Sequence, residues 1–277
     1  MYKRSSNGSP RTNAKRSEYV LRKVIVGGFQ TVSCTRHELA LAMLRDCLEA
    51  RERGDAWTPK LVYSSNGQGI ALAGRSKEFG AIMARADLIH ADGMPVVVAS
   101  RFTDAPLPER IATTDFFHDA VAVAIANGLR FFMLGASEEQ NRRAVEALRL
   151  AYPELIVAGR HHGYFDSTQD GNVCAQIRAS GADVVWAALG KPRQEYWCAR
   201  NRENLGGVGW LKTCGGLYSF LAGDAPRAPQ WMQGAGLEWA YRLANDPVRL
   251  SWRYLWTNPY AVYRLIRYTR SRGEELN

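Results

Sequence analysis

The chain has 277 residues, of which 46% are hydrophobic and 23% are charged, and its formal net charge is +9. These values are typical of a globular protein that buries one sizeable core. No apolar run approaches the roughly 18–20 residues of a membrane-spanning helix, and the polar stretch that opens the chain lacks the apolar segment of a signal peptide. Any contact with a membrane is therefore expected from its surface.

The positive charge is concentrated at the two ends of the chain. Residues 1–23 carry seven basic and one acidic side chain, and residues 225–277 carry eight Arg, no Lys and four acidic side chains. The centre is close to neutral and has no RNA- or DNA-binding signature, so nucleic acid is not a predicted partner. We predict a disordered basic tail over 1–22, an α/β core over 23–224 and a C-terminal appendage over 225–277.

The cysteines and histidines predict no metal site. The five cysteines are odd in number and widely spaced, with no Cys-x-x-Cys pair: Cys34, Cys47, Cys174, Cys198 and Cys214. This pattern favours neither a disulfide framework nor a zinc site and is typical of the reducing cytoplasm. His161 and His162 have no spaced carboxylate or Cys partners, and we interpret them as part of a surface loop.

Apolar runs alternate with amphipathic segments along the chain. The runs predict strands at 24–26, 60–64, 87–90, 130–134, 155–158, 183–189 and 208–213. The segments predict helices at 36–53, 70–84, 115–127, 138–151, 171–180 and 193–201. This alternation predicts a Rossmann-like α/β fold, a parallel sheet covered by helices on both faces.

Local signals mark three helix starts. Thr35 suits an N-cap, Ser137 and Gln140 suit a capping box, and Pro192 suits a first helical turn. The starts at Ser137 and Pro192 direct backbone N–H groups towards one edge of the predicted sheet, where they would hold a diphosphate.

Polar turns follow several predicted strands at that same edge, where open α/β sheets bind their ligands. They cover residues 64–67, 91–95, 108–115 and 191–195. Each alone resembles an ordinary turn, but their recurrence at one edge predicts a binding site. The chain has no G-x-G-x-x-G, no P-loop and no D-x-D, so a dinucleotide fingerprint and a metal-bridged nucleotide are not predicted.

The appendage combines aromatic rings with arginine. It holds four of the eight Trp and five of the twelve Tyr, rings that favour a boundary between water and an apolar phase. Arg binds phosphate oxygens in a bidentate manner. Trp252 and Trp256 lie four residues apart and share a helix face, whereas Trp239 and Tyr241 are predicted to pack on the core.

Six segments occur in an order that indicates a family. They are A-D-G-M-P-V-V (91–97), P-E-R-I-A-T-T-D-F (108–116), F-M-L-G-A (132–136), Y-P-E-L-I-V-A-G with G-Y-F (152–165), A-L-G-K-P-R-Q-E-Y-W (188–197), and R-A-P-Q-W through R-Y (227–254). Together they resemble the WecG/TagA/CpsF glycosyltransferases, over roughly residues 24–257.

The resemblance implies an inverting, metal-independent enzyme that needs no cofactor. The donor would be a UDP-hexose, and the acceptor a sugar on a polyprenyl diphosphate in cell-surface or exopolysaccharide synthesis. The C-terminal appendage would be helical, would close over the active site and would contact an anionic membrane surface. The resemblance thus places the protein in the cytoplasm, peripheral to the inner face of the cell membrane.

The resemblance also assigns residues to the site. Asp92 matches the general base, and Arg110 matches an arginine that stabilises the departing diphosphate. The implied substrate-binding positions are Ser64, Asn66, Asp115, Gly135, Gln194 and Glu195. In the appendage, the candidates for binding diphosphate are Arg227, Arg242, Arg249 and Arg253.

The chain departs from the family pattern in four places. Ser64 stands where Thr is usual, N-G-Q-G (66–69) replaces the usual continuation, A-T-T-D (112–115) replaces P-G-S-D, and C-G-G (214–216) replaces G-V-G. These departures leave the donor sugar unassigned.

Two other classes compete with a glycosyltransferase. A nucleotide-binding oxidoreductase on a doubly wound sheet would need the missing glycine fingerprint and a ribose-binding acid after the first strand. A non-enzymatic basic adaptor for membranes or nucleic acid gives no reason for polar residues gathered at the strand ends.

Overall fold

The computed structural model describes residues 21–229, 231–232 and 237–271, without the side chains of Arg242, Arg249, Leu250 and Arg253. The basic tail predicted over 1–22 lies outside the described residues except for its last two. The strands are β1 (Lys23–Val26), β2 (Phe29–Val32), β3 (Lys60–Ser65), β4 (Leu88–Ala91), β5 (Arg130–Gly135), β6 (Ile156–His161), β7 (Val184–Ala188) and β8 (Trp210–Thr213).

The helices between and after these strands complete the fold. They are α1 (Arg36–Arg53), α2 (Gly67–Arg75), α3 (Lys77–Ala84), α4 (Met94–Ser100), α5 (Thr113–Asn127), α6 (Glu138–Ala151), α7 (Asp170–Ser180), α8 (Arg193–Asn201), α9 (Leu217–Leu221), α10 (Glu238–Asn245) and α11 (Pro247–Arg267).

Six parallel strands form the central sheet, in the order β4-β3-β8-β7-β5-β6. Both faces of the sheet are buried. Leu61 and Tyr63 of β3 pack in one core with α2, α3 and α8, whereas Val62 faces the other core with α1, α5 and α6. Alternate side chains of a strand point to opposite faces, so strands with apolar residues on both sides read as the continuous runs seen in the sequence. The predicted parallel Rossmann-like sheet is confirmed.

Several predicted helix signals are confirmed and others need correction. Thr35 caps α1 in a complete capping box with Glu38. Ser137 accepts a hydrogen bond from the Gln140 backbone at the start of α6, but the Gln140 side chain donates instead to Asp224 (2.8 Å).

The helix predicted at 70–84 is two helices. The Ser76 side chain caps α3 by accepting from the Phe79 backbone, because a serine hydroxyl competes for backbone groups inside a helix. Strand β2 and helices α4 and α9 were not predicted, and α5 begins at Thr113, two residues before the predicted start at 115.

The C-terminal segment (residues 225–271) packs on the core through its second half. The Tyr260 hydroxyl of α11 donates to the Gly74 carbonyl (3.0 Å), and the Arg75 guanidinium donates to the Trp256 carbonyl (2.7 Å). Gly74 is needed at this crossing, because a Cβ atom there would lie 2.5 Å from Arg264. After α11 the backbone of Arg270 pairs with Ile25 of β1.

Candidate active site

Asp92 lies immediately after β4, at the carboxyl edge of the sheet. Its backbone N–H donates to the Ser65 carbonyl (2.9 Å), which fixes the turn after β4 against the end of β3. Its Oδ1 atom accepts from the Thr113 backbone N–H in the first turn of α5 (3.3 Å). The start of a helix favours a negative charge, so this position suits an ionised carboxylate. Asp92 is half-buried.

The Asp92 turn is also joined to two other predicted site residues. Asn66 caps α2 through a hydrogen bond from the Gly69 backbone (3.0 Å). A Cβ atom on Gly93 would lie 3.6 Å from Asn66, so the turns after β3 and β4 are in contact. The backbone N–H of Ile111 donates to the Ala91 carbonyl (2.7 Å), and this bond brings the loop that carries Arg110 beside the Asp92 turn.

Gln194 and Glu195 lie in the first turn of α8, directly after the turn that follows β7. Both side chains are buried, and Gln194 Nε2 donates to Glu195 Oε1 (3.0 Å). The Gln194 Oε1 atom accepts from the Gly215 backbone in the turn after β8 (3.1 Å). The two residues therefore hold neighbouring turns of the edge in place.

Lys191 was not predicted as a site residue, although it lies in the turn between β7 and α8. Its Nζ atom donates to the Ser64 carbonyl (3.0 Å) and lies 3.2 Å from Glu195 Oε1. The predicted residue Ser64 is thus held by a cation at the end of β3. The pattern of a strand followed by Gly-Lys-Pro marked the turn, but it did not indicate where the Lys side chain points.

A second lysine lies inside the sheet below this edge. Lys212 of β8 is fully buried, and its Nζ atom donates to the Thr213 carbonyl (2.6 Å). Burial lowers the pKa of Lys212 to about 8, although the nearby Cys214 and Asp92 act to raise the pKa. A fully buried lysine is rare, and the single charged residue in the apolar run 208–213 was the signal that sequence reasoning missed.

His90 lies on the same side of the sheet as Lys212. It is fully buried, and its Nδ1 atom lies 2.9 Å from the Ile111 carbonyl, so Nδ1 carries the proton. Burial first, and the charge of Lys212 second, hold the pKa of His90 well below its usual range. His90 is therefore neutral beneath the Asp92 turn.

Arg110 and Asp115 each form an ion pair with the C-terminal segment. Arg110 Nη2 lies 2.8 Å from Glu238 Oε2 at the start of α10, and Asp115 Oδ1 lies 2.7 Å from Arg227 Nη1. The two predicted residues Asp115 and Arg227 are thus brought together. The C-terminal segment contacts the chain on both sides of Thr113, the residue that binds Asp92.

Gly135 is placed by a close approach between strands. Its φ angle is +127°, and a Cβ atom there would lie 2.4 Å from the Ala188 carbonyl oxygen. This part of the edge accepts only glycine without movement of the backbone. His161, expected in a surface loop, is the last residue of β6.

The aromatic residues of the C-terminal segment differ in their contacts. The rings of Trp252 and Trp256 lie 5.9 Å apart, so these residues share a helix face as predicted. Trp239, which was predicted to pack on the core, is instead 47% exposed and packs edge-on against Tyr254 of α11, with 6.2 Å between centroids. The side chains of Arg242, Arg249 and Arg253 lie outside the described residues, so their predicted role stays a prediction.

The described ranges (21–229, 231–232 and 237–271) hold neither a metal-binding cluster nor a membrane-spanning helix. In them no group of three or more His, Cys, Asp or Glu side chains is arranged to hold a metal ion. None of their helices combines the length and apolar character needed to cross a bilayer.

The fold is that of the open, Rossmann-like α/β proteins, a class that binds its ligands at the carboxyl edge of the sheet. The chain matches the Glycosyl transferase WecG/TagA/CpsF family over residues 25–275, and it belongs to this family. The resemblance drawn from the sequence is therefore confirmed, and the protein is a glycosyltransferase by family.

Two curated relatives share most of their length with the chain. It is 33% identical over 204 residues to the N-acetylglucosaminyldiphosphoundecaprenol N-acetyl-beta-D-mannosaminyltransferase of Bacillus subtilis (strain 168). The aligned residues cover 73% of this chain and 77% of that protein. It is 31% identical over 197 residues to the enzyme of the same name from Bacillus spizizenii. The aligned residues cover 71% of this chain and 75% of that protein.

Proposed function

We propose that this chain transfers a hexose from a UDP-sugar to a sugar carried on a polyprenyl diphosphate, with inversion and without a metal ion. The observation that carries the proposal is the Asp92 carboxylate, held at the carboxyl edge of the sheet by the first turn of α5. The relatives act, by their name, on N-acetylglucosaminyldiphosphoundecaprenol. That name supports a lipid-linked acceptor here and makes N-acetylmannosamine the first donor sugar to test.

In the proposed reaction Asp92 takes the proton of the acceptor hydroxyl while that oxygen attacks the anomeric carbon. The new carbon–oxygen bond forms on the face opposite UDP. The bond to the phosphate oxygen breaks, and its electron pair leaves with UDP. Arg110 stabilises the charge that develops on the diphosphate. A positioned base of this kind contributes ~10²–10⁴-fold to the rate.

The acceptor is proposed to reach the site from a membrane surface. One face of α11 packs on the core, where Thr257, Ala261 and Leu265 are buried. The opposite face exposes large apolar side chains at helical spacing: Val248, Trp252, Leu255, Tyr263 and Ile266. A helix with one packed face and one exposed apolar face suits the boundary of a bilayer.

Charge supports the same surface. The C-terminal segment contains Arg but no Lys, and each cation near an anionic leaflet adds roughly 1 kcal/mol to binding. We therefore propose that the protein works in the cytoplasm, with the exposed face of α11 against the inner surface of the cell membrane.

A transfer assay tests the proposed function. The purified chain is incubated with a panel of UDP-hexoses and N-acetylglucosaminyl-diphospho-polyprenol in anionic vesicles, with a chelator present. We expect release of UDP and a lipid-linked disaccharide with one donor. Formation of product only after a divalent metal is restored would contradict the metal-independent step, and no product with any donor would contradict the transfer itself.

A further inference from the structure

The ion pair between Arg110 and Glu238 occupies the arginine that the proposed reaction assigns to the diphosphate. The two atoms Arg110 Nη2 and Glu238 Oε2 lie 2.8 Å apart, and the side chains are only 13% and 14% exposed. We propose that Glu238 is the counter-ion of Arg110 when no donor is bound, and that the donor diphosphate displaces it. This inference rests on the proposed function, because the proposed function assigns the diphosphate to Arg110.

A partly buried arginine without a counter-ion would destabilise the fold. A guanidinium cannot lose its proton in a protein, so a partly buried one needs an anion beside it. Glu238 supplies that anion from a helix 128 residues further along the chain. In the absence of a donor, the pair keeps both charges compensated.

The donor diphosphate and the Glu238 carboxylate compete for Arg110. A diphosphate binds arginine in a bidentate manner, and a carboxylate on the same guanidinium would then lie within a few ångströms of the phosphate oxygens. Like charges at that distance repel strongly where water is partly excluded. An exchange of one anion for the other keeps Arg110 compensated throughout.

The helix that carries the displaced Glu238 is attached to the core on both sides. Glu238 lies in the first turn of α10, between two fixed points of the C-terminal segment. Arg227 is bound to Asp115 before it, and α11 is held after it by the hydrogen bond from Tyr260 to Gly74. Release of Glu238 therefore removes one attachment of α10 to the core, while Trp239 of α10 stays packed against Tyr254 of α11.

The exchange is thermodynamically reciprocal. If Glu238 weakens diphosphate binding by some factor, then bound diphosphate weakens the attachment of α10 by the same factor. Binding of the donor would thus loosen α10 beside the site, before the acceptor arrives. The family motif over 227–254 covers Glu238 and its helix, but no sequence motif indicated the ion pair with Arg110.

The test compares Glu238→Gln with the wild-type chain. The substitution keeps the shape of the side chain and removes its charge. We expect Glu238→Gln to bind UDP and inorganic diphosphate at least fivefold more tightly by isothermal titration calorimetry, at the lower end of typical coupling. Glu146→Gln is the control, because Glu146 forms an exposed ion pair with Arg142 on α6, and its affinities should match wild type.

A second measurement does not depend on any variant. Hydrogen exchange of the α10 amides in the wild-type chain should speed up when diphosphate is added. Unchanged or weaker binding of diphosphate by Glu238→Gln, or slower exchange in α10, would overturn the inference; weaker binding would mean that Glu238 orients Arg110.

The two probes separate this inference from the proposed function. Tighter diphosphate binding by Glu238→Gln, with no binding of UDP or UDP-sugars by either protein, would support the exchange and contradict a UDP-sugar donor. UDP binding that is equal in both proteins would support the donor and overturn the exchange.

Discussion

Charged side chains are usually exposed and large apolar side chains are usually buried. The sheet edge departs from the first half of this rule, and the C-terminal segment departs from the second. At the edge, charged side chains are buried: Glu195 and Lys212 are both 0% exposed. In the C-terminal segment, large apolar side chains are exposed, with Trp252 at 68% and Leu255 at 69%. Each arrangement costs stability unless a partner compensates it. At the edge the partners are other protein groups, whereas the C-terminal segment presents its apolar face outward.

The contrast separates two kinds of work. The edge is held by short hydrogen bonds between turns, which suits a site that must position reacting atoms. The C-terminal segment is joined to the core by ion pairs and by α11, and its outer face suits contact with another phase. Substitutions in the two regions should therefore have different readouts.

The largest expected effect is the loss of the proposed base at the edge. Asp92→Asn keeps the size of the side chain but cannot accept a proton, so we expect transfer to fall by ~10²–10⁴-fold. UDP affinity, measured by calorimetry, should change little. Asp55→Asn is the matched control, since Asp55 is exposed and pairs with Arg178. Near-normal turnover in Asp92→Asn would mean that another group is the base.

The next effect concerns the buried charge of Lys212. Its pKa of about 8 lies below the ordinary lysine value of 10.5. Below pH 8 both folded and unfolded chains are protonated there, and burial of the charge destabilises the fold. Between pH 8 and 10.5 only the unfolded chain keeps the proton, so this contribution to stability rises with pH by roughly 3 kcal/mol.

Lys212→Met tests this effect. The variant should be more stable than wild type at pH 7 if its side chain packs well, and its advantage should shrink as the pH rises from 8 to 10.5. Urea unfolding of both proteins across that range measures the difference. Lys77→Met, at an exposed position, should follow wild type. A constant difference between Lys212→Met and wild type would show that Lys212 does not titrate in this range.

The smallest expected effect lies on the outer face of α11. Trp252→Ser combined with Leu255→Ser removes two exposed apolar side chains without touching the face packed on the core. Because a large apolar side chain contributes about 1.5–3 kcal/mol when fully buried, partial burial in lipid predicts a roughly tenfold loss of binding to anionic vesicles. Leu150→Ser, on an exposed site of α6, is the control. Equal vesicle binding by all three proteins would contradict the membrane surface.

The sequence predicted most of the sheet because both of its faces are buried. Strands such as β5 and β7 then read as continuous apolar runs, and their predicted bounds lie within one residue of the observed ones. Strand β2 and helix α4 are four and seven residues long. Strand β2, F-Q-T-V, lacks a continuous apolar run of the kind that predicted the equally short β1, and helix α4 holds too few helical periods for its pattern to be recognised.

The site was only partly predictable for a different reason. Asp92 and Arg110 lie in recognisable motifs, and the bond from Ile111 to Ala91 brings their segments together. The roles of Lys191 and Lys212 depend on which groups surround each side chain after folding. The pairing of Arg110 with Glu238 joins residues 128 positions apart, and no local pattern encodes it.

The pairing of Ile25 with Arg270 sets an order of events during synthesis. Strand β1 is made about 245 residues before the backbone groups that complete its outer edge. At roughly 5–20 residues per second, that edge stays open for on the order of tens of seconds. The last residues described thus pair with strand β1, and the proposed lipid-facing helix reaches its place only after these residues have been translated.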